Sequence, residues 1–283
     1  MSVSPPIIFI HKGPCHYLPG NISHVRARFG PRRILTLSDR PYADSEWVPL
    51  KTLGSPFTAH YQHLSTVDQK FELFCFNRWF MLAQALHQHN LTQFIHLDSD
   101  CMLFDDAFPC DKLGVVGDPT SPYYAFTKSG HSLFSNRVSL EKFCQFMETT
   151  YTHPETLTRL KHLRATQMGP CGGVTDMTLF GLFSAQYPDE VRHQEDLRDG
   201  ICSDDNFNAP GGFQMDGPIK KIVVESGHPY GFLEKTGEKI RFRTLHFQGS
   251  AKPLMSRFSW GDPPALPVRG PLHFLRKLWR FGH

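Results

Sequence analysis

The chain has 283 residues, of which 40% are hydrophobic and 20% are charged, a composition typical of a folded globular protein. Its 30 basic and 27 acidic residues leave a formal net charge of +3, which is too small to indicate nucleic acid as the main partner. No stretch approaches the roughly 20 apolar residues of a membrane-spanning helix, and the apolar run 7–10 is too short for a secretory signal. We therefore expect a single cytoplasmic domain covering 1–283.

Seven cysteines are spread through the chain, and no pair has the Cys-x-x-Cys spacing. An odd number at wide spacing indicates reduced thiols, as in a cytosolic protein, rather than a disulfide framework. The apolar context of several of them favours a role as small core residues, so we do not expect structural zinc.

The first third of the chain is predicted to alternate strands with helices. An apolar strand at 7–11 ends in a turn, and a short helix capped by Asn21 should end near Gly30. A second strand is expected at 33–37. The start of an α/β sheet is indicated by this order of elements.

A loop region and a long helix should then lead to the next strand. Residues 40–65 lack sustained periodicity and are assigned to loops. Apolar residues recur at helical spacing over 68–89, directly before an apolar strand at 94–97.

The second half of the chain contains more strand and helix signals. Strands are expected at 113–116, 123–126, 222–225 and 240–247, and residues 199–216 should form a loop. Three helices are predicted: one capped by Ser139, one beginning with a capping box of Thr152 and Glu155, and an apolar one at 174–186.

Two polar patches far apart in the chain suggest a common site. Asp98-Ser99-Asp100 closes the strand 94–97, so its carboxylates should lie at the carboxyl edge of the sheet, where α/β proteins bind ligands. Paired carboxylates hold hard divalent cations; they could instead cap a turn. The second patch runs from His246 to Pro253, and its imidazole, glycine and lysine could complete a metal and diphosphate site.

Leu97-Asp98-Ser99-Asp100 together with His246-x-x-Gly249-x-x-Lys252-Pro253 resembles the retaining nucleotide-sugar glycosyltransferases of family 8, which include glycogenin. The resemblance implies the GT-A fold, a Rossmann-like mixed and mainly parallel sheet flanked by helices. It also implies a nucleotide-sugar donor, with UDP as the expected carrier, and a glycan or other hydroxyl acceptor.

The resemblance also implies residue roles. Asp98, Asp100 and His246 would hold Mn²⁺, or Mg²⁺, on the donor diphosphate. Gly249 and Lys252 would contact the phosphates, and Asp98 would also contact the donor. The family usually has Trp where this chain has Leu254 and an Asp-Gln-Asp segment where it has only Thr175-Asp176-Met177. A neighbouring metal-dependent transferase family with the same fold is therefore an equal alternative to family 8.

Five further residues are candidates for the cleft. Asp176, alone in an apolar helix, could cap that helix, bind an acceptor hydroxyl or stabilise an oxocarbenium-like sugar. Arg78 could be packed on the core, meet donor phosphate or pair with an active-site Asp. His11, Lys12 and Gly13 follow the first strand, where GT-A enzymes usually receive the nucleotide base.

The last thirteen residues, 271–283, form a basic and aromatic C-terminal tail. That composition suits peripheral contact with an anionic membrane surface, and it also suits a terminal helix that closes the core. We favour membrane contact at the inner face of a membrane.

Two other functions compete with glycosyl transfer. A phosphatase of the haloacid-dehalogenase type also has a strand-end Asp-x-Asp, and Asp204-Asp205 could serve as its later acidic pair. However, Met102 stands where that family expects Thr or Val, and its motif normally lies on the first strand. The second alternative is a module that binds a nucleotide sugar without transferring it.

Overall fold

The structure is a computed structural model that describes residues 4–168, 172–197 and 200–259. The predicted membrane-contacting tail, 271–283, lies outside the described residues. Within the described residues no helix combines the length and apolarity needed to cross a membrane. The six cysteines of this part of the chain are free thiols.

Strands and helices alternate through most of the described chain. The strands are β1 Ile7–His11, β2 Ile34–Ser38, β3 Glu46–Pro49, β4 Gln93–Leu97, β5 Cys101–Leu103, β6 Leu113–Val116, β7 Ser129–Asn136, β8 Val191–His193, β9 Ile201–Ser203, β10 Met215–Asp216, β11 Ile219–Lys220, β12 Val223–Glu225, β13 His228–Phe232 and β14 Lys239–His246. The α-helices are α1 Leu18–Phe29, α2 Gln69–Gln88, α3 Arg137–Thr152, α4 Pro154–Gln167 and α5 Asp176–Gln186.

The central sheet has seven strands in the order β3-β2-β1-β4-β7-β6-β8. The first four are mutually parallel, β7 is antiparallel to both of its neighbours, and β8 is parallel to β6. The sheet is therefore mixed and mainly parallel, which confirms the predicted fold class. Because β1 to β4 are parallel, their carboxyl ends lie at one edge.

Helices cover both faces of this sheet. Ile7 and Phe9 on β1 pack in a core cluster with α1, whereas Ile8 and Ile10 pack in a second cluster with α2, α3 and α5. This alternation follows from the two-residue period of a strand, and it explains why β1 is apolar on both faces. Full burial of one such side chain contributes about 1.5–3 kcal/mol to folding.

A second sheet joins the two polar patches. Its strands run in the order β12-β13-β14-β5, with β9 beside β14. β5 directly follows the Asp98–Asp100 turn and pairs antiparallel with β14, so that His246 lies opposite Cys101. The Phe247 N–H also donates to the Asp100 carbonyl over 2.9 Å. Ordinary strand pairing thus brings the two motifs together.

Two loop assignments and one strand prediction were wrong. Residues 199–216, expected to form a loop, contain β9 and β10. The 40–65 region contains the short edge strand β3, and residues 124–126 form a 3₁₀ turn instead of a strand. On the side away from β1, β4 pairs with β7, whose sequence is largely serine, glycine and histidine. β7 is buried between strands despite its polar composition, so a search for apolar runs misses it.

The predicted helix caps were also misplaced. Helix α1 begins at Leu18, before Asn21, and α3 is capped by Asn136, which accepts a hydrogen bond from the Ser139 N–H. The Thr152 hydroxyl donates to the Glu148 carbonyl instead of capping α4. In each case a nearby residue with the required extended backbone, or a proline in the first turn, starts the helix instead.

Candidate active site

The Asp98–Asp100 turn is held from three sides at the end of β4. The Asp98 N–H donates to the His131 carbonyl over 2.7 Å, and the Cys101 N–H donates to the Asp98 carbonyl over 2.9 Å. The Asn21 amide donates to the carbonyls of Ser99 and Cys101 over 3.2 and 2.8 Å. Asn21, which the sequence pattern indicated as a helix cap, therefore fixes the turn that carries both carboxylates.

Asp98 belongs to a buried ion-pair chain. Arg78 on α2 donates to Asp98 Oδ1 over 2.6 Å through Nη1 and to Asp176 Oδ2 over 3.0 Å through Nη2. His96 Nε2 also lies 3.2 Å from Asp98 Oδ1. Burial raises the pKa of the Asp98 carboxyl, but the Arg78 guanidinium more than offsets this, so the pKa lies well below its usual range. Asp98 is therefore ionised at neutral pH.

Asp176 is the first residue of α5, and Thr175 and Thr178 form the capping box of that helix. Its Oδ2 accepts from Arg78 and from the Trp79 indole N–H, both over 3.0 Å. The Asp176 side chain is only 6% exposed. The Asp176 carboxylate therefore holds Arg78 in place, and contact of Asp176 with the substrate stays a prediction.

Asp100 lies between two basic side chains. His246 Nε2 is 3.6 Å from Asp100 Oδ1, and Lys252 Nζ is 3.1 Å from Asp100 Oδ2. Burial raises the pKa of the Asp100 carboxyl, but the interaction with His246 more than offsets this and leaves the pKa below its usual value. Burial lowers the pKa of His246, yet the hydrogen bond and charge of Asp100 raise it to about 9.

The orientation of His246 follows from its second ring nitrogen. Nδ1 lies 2.7 Å from the Asp205 carbonyl, which can only accept, so Nδ1 carries a proton and Nε2 faces Asp100. Gly249, at φ +55°, begins the 3₁₀ segment that carries Lys252. A positive φ favours glycine because it has no Cβ.

A cavity of 320 Å³ opens in front of these groups. Its lining includes four basic side chains, both carboxylates of the turn and an aromatic strip from α2: Lys12, Lys70, Arg78, Lys252, Asp98, Asp100, Phe71 and Phe74. His11 also lines it, and its Nδ1 lies 3.0 Å from the Ser99 hydroxyl. Six of the predicted site residues therefore line one cavity: His11, Lys12, Arg78, Asp98, Asp100 and Lys252. The other four, Gly13, Asp176, His246 and Gly249, are not among its lining residues.

A neighbouring cavity of 390 Å³ lies beyond the ends of β1, β2 and β3. It shares Lys12 and Phe74 with the first cavity. The rest of its wall consists of Ser38, Asp39, Trp47, Lys51 and three apolar side chains. Gly13, at φ +92°, donates its N–H to Asp39 Oδ2 over 3.1 Å. Sequence reasoning missed Asp39 and Trp47; the strand-end position of Ser38-Asp39 was the only signal for them.

The residues fit a divalent cation only in part. No group of three or more His, Cys, Asp or Glu side chains is arranged to hold a metal ion within 4–168, 172–197 and 200–259. Asp98 Oδ1 is already bonded to Arg78 and His96. Asp100 and His246, by contrast, face each other with an oxygen and a nitrogen 3.6 Å apart, a spacing that one cation can bridge.

The acidic pair Asp204-Asp205 does not line the cavity of Asp98. Asp204 is buried, with its Oδ1 2.8 Å from Lys220 Nζ, and Asp204 Oδ2 accepts from the His246 N–H over 3.1 Å. This arrangement counts against the phosphatase alternative, which requires the pair to face a phosphate bound at Asp98.

No protein-family model matches the chain, and no curated protein matches it. Among the solved structures that match, two glycosyltransferases each have a TM-score of 0.39. The glycosyltransferase GlyE of Streptococcus pneumoniae TIGR4 is 11% identical, and the match covers 70% of this chain and 47% of GlyE. A glycosyltransferase involved in the glycosylation of the major capsid of PBCV-1 is 13% identical, and the match covers 88% of this chain and 96% of that one.

The chain thus spans about half the length of GlyE. At these identities and TM-scores neither likeness carries a functional argument. The functional assignment rests on the geometry of the cleft.

Proposed function

We propose that this protein is a metal-dependent glycosyltransferase that uses a nucleoside-diphosphate sugar, with UDP-hexose as the donor of first choice. One observation carries the proposal. The carboxyl ends of four neighbouring parallel strands face two adjoining cavities, one rich in basic groups beside Asp98 and Asp100 and the other partly aromatic. Adjoining cationic and aromatic cavities suit a diphosphate joined to a nucleoside.

The two cavities suggest how the donor lies. The base and ribose would occupy the cavity of Trp47 and Asp39, whose carboxylate can accept a ribose hydroxyl. The diphosphate would pass Lys12, which lines both cavities, and reach Lys252 and Arg78. The choice of uracil as the base rests on the family resemblance.

The reaction breaks the bond between the anomeric carbon of the sugar and the diphosphate oxygen. A bond forms between that carbon and an acceptor hydroxyl oxygen, the hydroxyl proton is released, and the nucleoside diphosphate leaves with the bonding electrons. Negative charge therefore grows on the leaving oxygen in the transition state. Lys252, 3.1 Å from Asp100, is positioned to stabilise it.

Asp100 and His246 are the residues that would hold Mn²⁺ or Mg²⁺, and Asp98 would join them if its contact with Arg78 loosened. When bound, the cation would neutralise charge on the diphosphate. Asp176 and Trp79 would keep the Arg78 guanidinium aimed into the cleft. Retention of anomeric configuration is part of the proposal because of the His-x-x-Gly-x-x-Lys resemblance.

The first experiment is release of the nucleoside diphosphate from a panel of UDP- and GDP-sugars, with Mn²⁺ or with EDTA. We expect Mn²⁺-dependent UDP release that Asp100→Asn abolishes and that the exposed-site control Asp189→Asn leaves unchanged. Release that EDTA does not affect would contradict the metal assignment. Hydrolysis of phosphate monoesters in place of nucleotide sugars would favour the phosphatase alternative.

Binding tests the cation independently of turnover. Mn²⁺ titrated into the protein and followed by electron paramagnetic resonance should lose its free-ion signal, and His246→Ala should restore that signal. Tight, Mn²⁺-dependent binding of UDP without transfer to acceptor or water would favour the non-catalytic module.

A further inference from the structure

A cavity of 590 Å³, larger than either donor cavity, lies outside the donor cleft. Its volume falls within the range of small-molecule sites, roughly 300–1,000 Å³. The start of α5, the segment after β6 and the segment after β9 form its walls, and none of its lining residues belongs to either donor cavity. A separate ligand can therefore occupy it while the donor is bound.

Backbone connections place this cavity next to the reacting groups. Thr175 and Met177, which line it, flank Asp176, and Asp176 binds Arg78 of the donor cleft. The carbonyl of Asp205, another lining residue, accepts a hydrogen bond from the Nδ1–H group of His246. The cavity is thus connected to Arg78 through Asp176 and to His246 through Asp205.

The Asp205 side chain lacks partners of its own. Among the described residues none donates a hydrogen bond to its carboxylate. The charges of Asp204, His246, Lys220 and Asp118 act on this carboxylate, and Asp118 lines the same cavity. A partly buried carboxylate without donors is costly to keep ionised, so hydroxyl donors from a ligand would stabilise it.

The remaining lining suits a sugar. The Asn206 amide donates to Gln248 Oε1 over 2.7 Å, which presents paired amides at the cavity wall. Tyr123 is 45% exposed and offers an aromatic face. None of the described lining residues is Lys, Arg or His, although His246 and Lys220 act electrostatically on Asp205. An anionic ligand would therefore lie directly against two carboxylates.

We propose that this cavity binds the acceptor of the transfer and that the part of the acceptor bound here is an uncharged sugar. Its hydroxyls donate to Asp205 and Asp118, and one apolar sugar face lies against Tyr123. This inference rests on the proposed glycosyl transfer and narrows its acceptor from hydroxyl compounds in general to neutral glycans. The part of the acceptor that lies in this cavity therefore carries no phosphate or carboxylate group.

Direct binding tests the cavity without turnover. Lactose, cellobiose and maltotriose would be compared with glucose 6-phosphate and glucuronic acid by saturation-transfer NMR, in the presence of UDP and Mn²⁺. We expect signals for at least one neutral sugar and for neither anion. Preferential binding of an anion, or binding of no sugar in the panel, would overturn the proposal.

Variants then test whether the neutral sugar binds in this cavity. Asp205→Asn should weaken the neutral sugar about tenfold, and Tyr123→Ala should weaken it severalfold, whereas Asp189→Asn should have no effect. The dissociation constant of UDP with Mn²⁺, measured by calorimetry on the same variants, should change by much less. Equal losses for sugar and UDP, or an unchanged sugar affinity in Asp205→Asn, would contradict the assignment.

The two proposals can fail separately. If the wild-type protein does not bind UDP, the glycosyltransferase proposal fails, while neutral-sugar binding lost in Asp205→Asn would still identify the cavity. If UDP binds and turns over but only anionic sugars occupy the cavity, the acceptor inference alone fails. Thermal unfolding of each variant separates loss of binding from loss of the fold.

Discussion

The donor cleft and the acceptor-side cavity are built in different ways. The cleft lies at the ends of regular strands, carries four basic side chains, and contains carboxylates that are already paired with Arg78, His246 and Lys252. The larger cavity is formed mostly by loop segments, has no basic lining residue among those described, and keeps the Asp205 carboxylate without a hydrogen-bond donor. The charge of the lining residues would therefore direct an anionic donor to the cleft and a neutral acceptor to the larger cavity.

The largest effect should come from removing the Arg78 guanidinium, which pairs with both Asp98 and Asp176. Arg78→Ala leaves Asp98 and Asp176 without their common partner, and breaking a buried ion pair in this way typically costs about 3–5 kcal/mol. Urea unfolding should show that loss at pH 7. Arg192→Ala is the control, because its pair with Asp111 is exposed and should contribute about 1 kcal/mol or less. Equal losses in the two variants would show that the Arg78 chain does not stabilise the cleft.

The next effect tests the donor side directly. Lys252→Met should lower kcat for UDP release by about 100-fold, because a preorganised positive group near the leaving oxygen is removed. Lys142→Met, at an exposed pair with Glu190, serves as the matched control. A change in the KM for the acceptor with kcat intact would instead assign Lys252 to the acceptor side.

A third prediction concerns Glu72, a buried residue beside Asp176. Burial and the charge of Asp176 raise the pKa of Glu72 to about 7, above the value of about 4.5 in the unfolded chain. The native state therefore binds more protons between these values, and its stability should fall as pH rises through that window. Glu72→Gln should be more stable than wild type at pH 8, by on the order of 1–3 kcal/mol, and the difference should vanish near pH 4. Parallel curves for the two proteins would contradict this.

The smallest effect is expected at Gly249. Gly249→Ala forces a Cβ into a backbone at φ +55°, which costs about 1 kcal/mol, and it should weaken UDP binding because Lys252 lies in the segment that this residue begins. Gly20→Ala is the control, because this glycine lies in α1 without a positive φ and has open space where a Cβ would stand. Neutral-sugar binding should be unchanged in both variants.

Much of the donor side could be predicted from the sequence. The strand β1, the helix α2 and the strand β4 follow from local apolar patterns, and Asp98 and Asp100 stand where β4 ends. His246 could be linked to them only through the chemistry of its patch and the family resemblance, because the β5–β14 pairing joins residues far apart in the chain.

The acceptor side was not predictable for the same physical reason. In the sequence Asp205 stands out only as half of an acidic pair, and Tyr123 falls in a predicted strand that does not form. Their function depends on which loops meet, and loops carry no periodic signal. Polar β7 was missed because tertiary burial overrides local propensity. The start of α1 at Leu18 was missed although Pro19, in the first turn, is a local signal for it.

Calorimetric titration of UDP into the protein, with and without Mn²⁺, tests the metal-dependent donor site more directly than any other experiment. We predict that Mn²⁺ tightens UDP binding at least tenfold and that His246→Ala removes this tightening. UDP affinity that is the same with and without the cation, or no UDP binding at all, would contradict the proposed donor site.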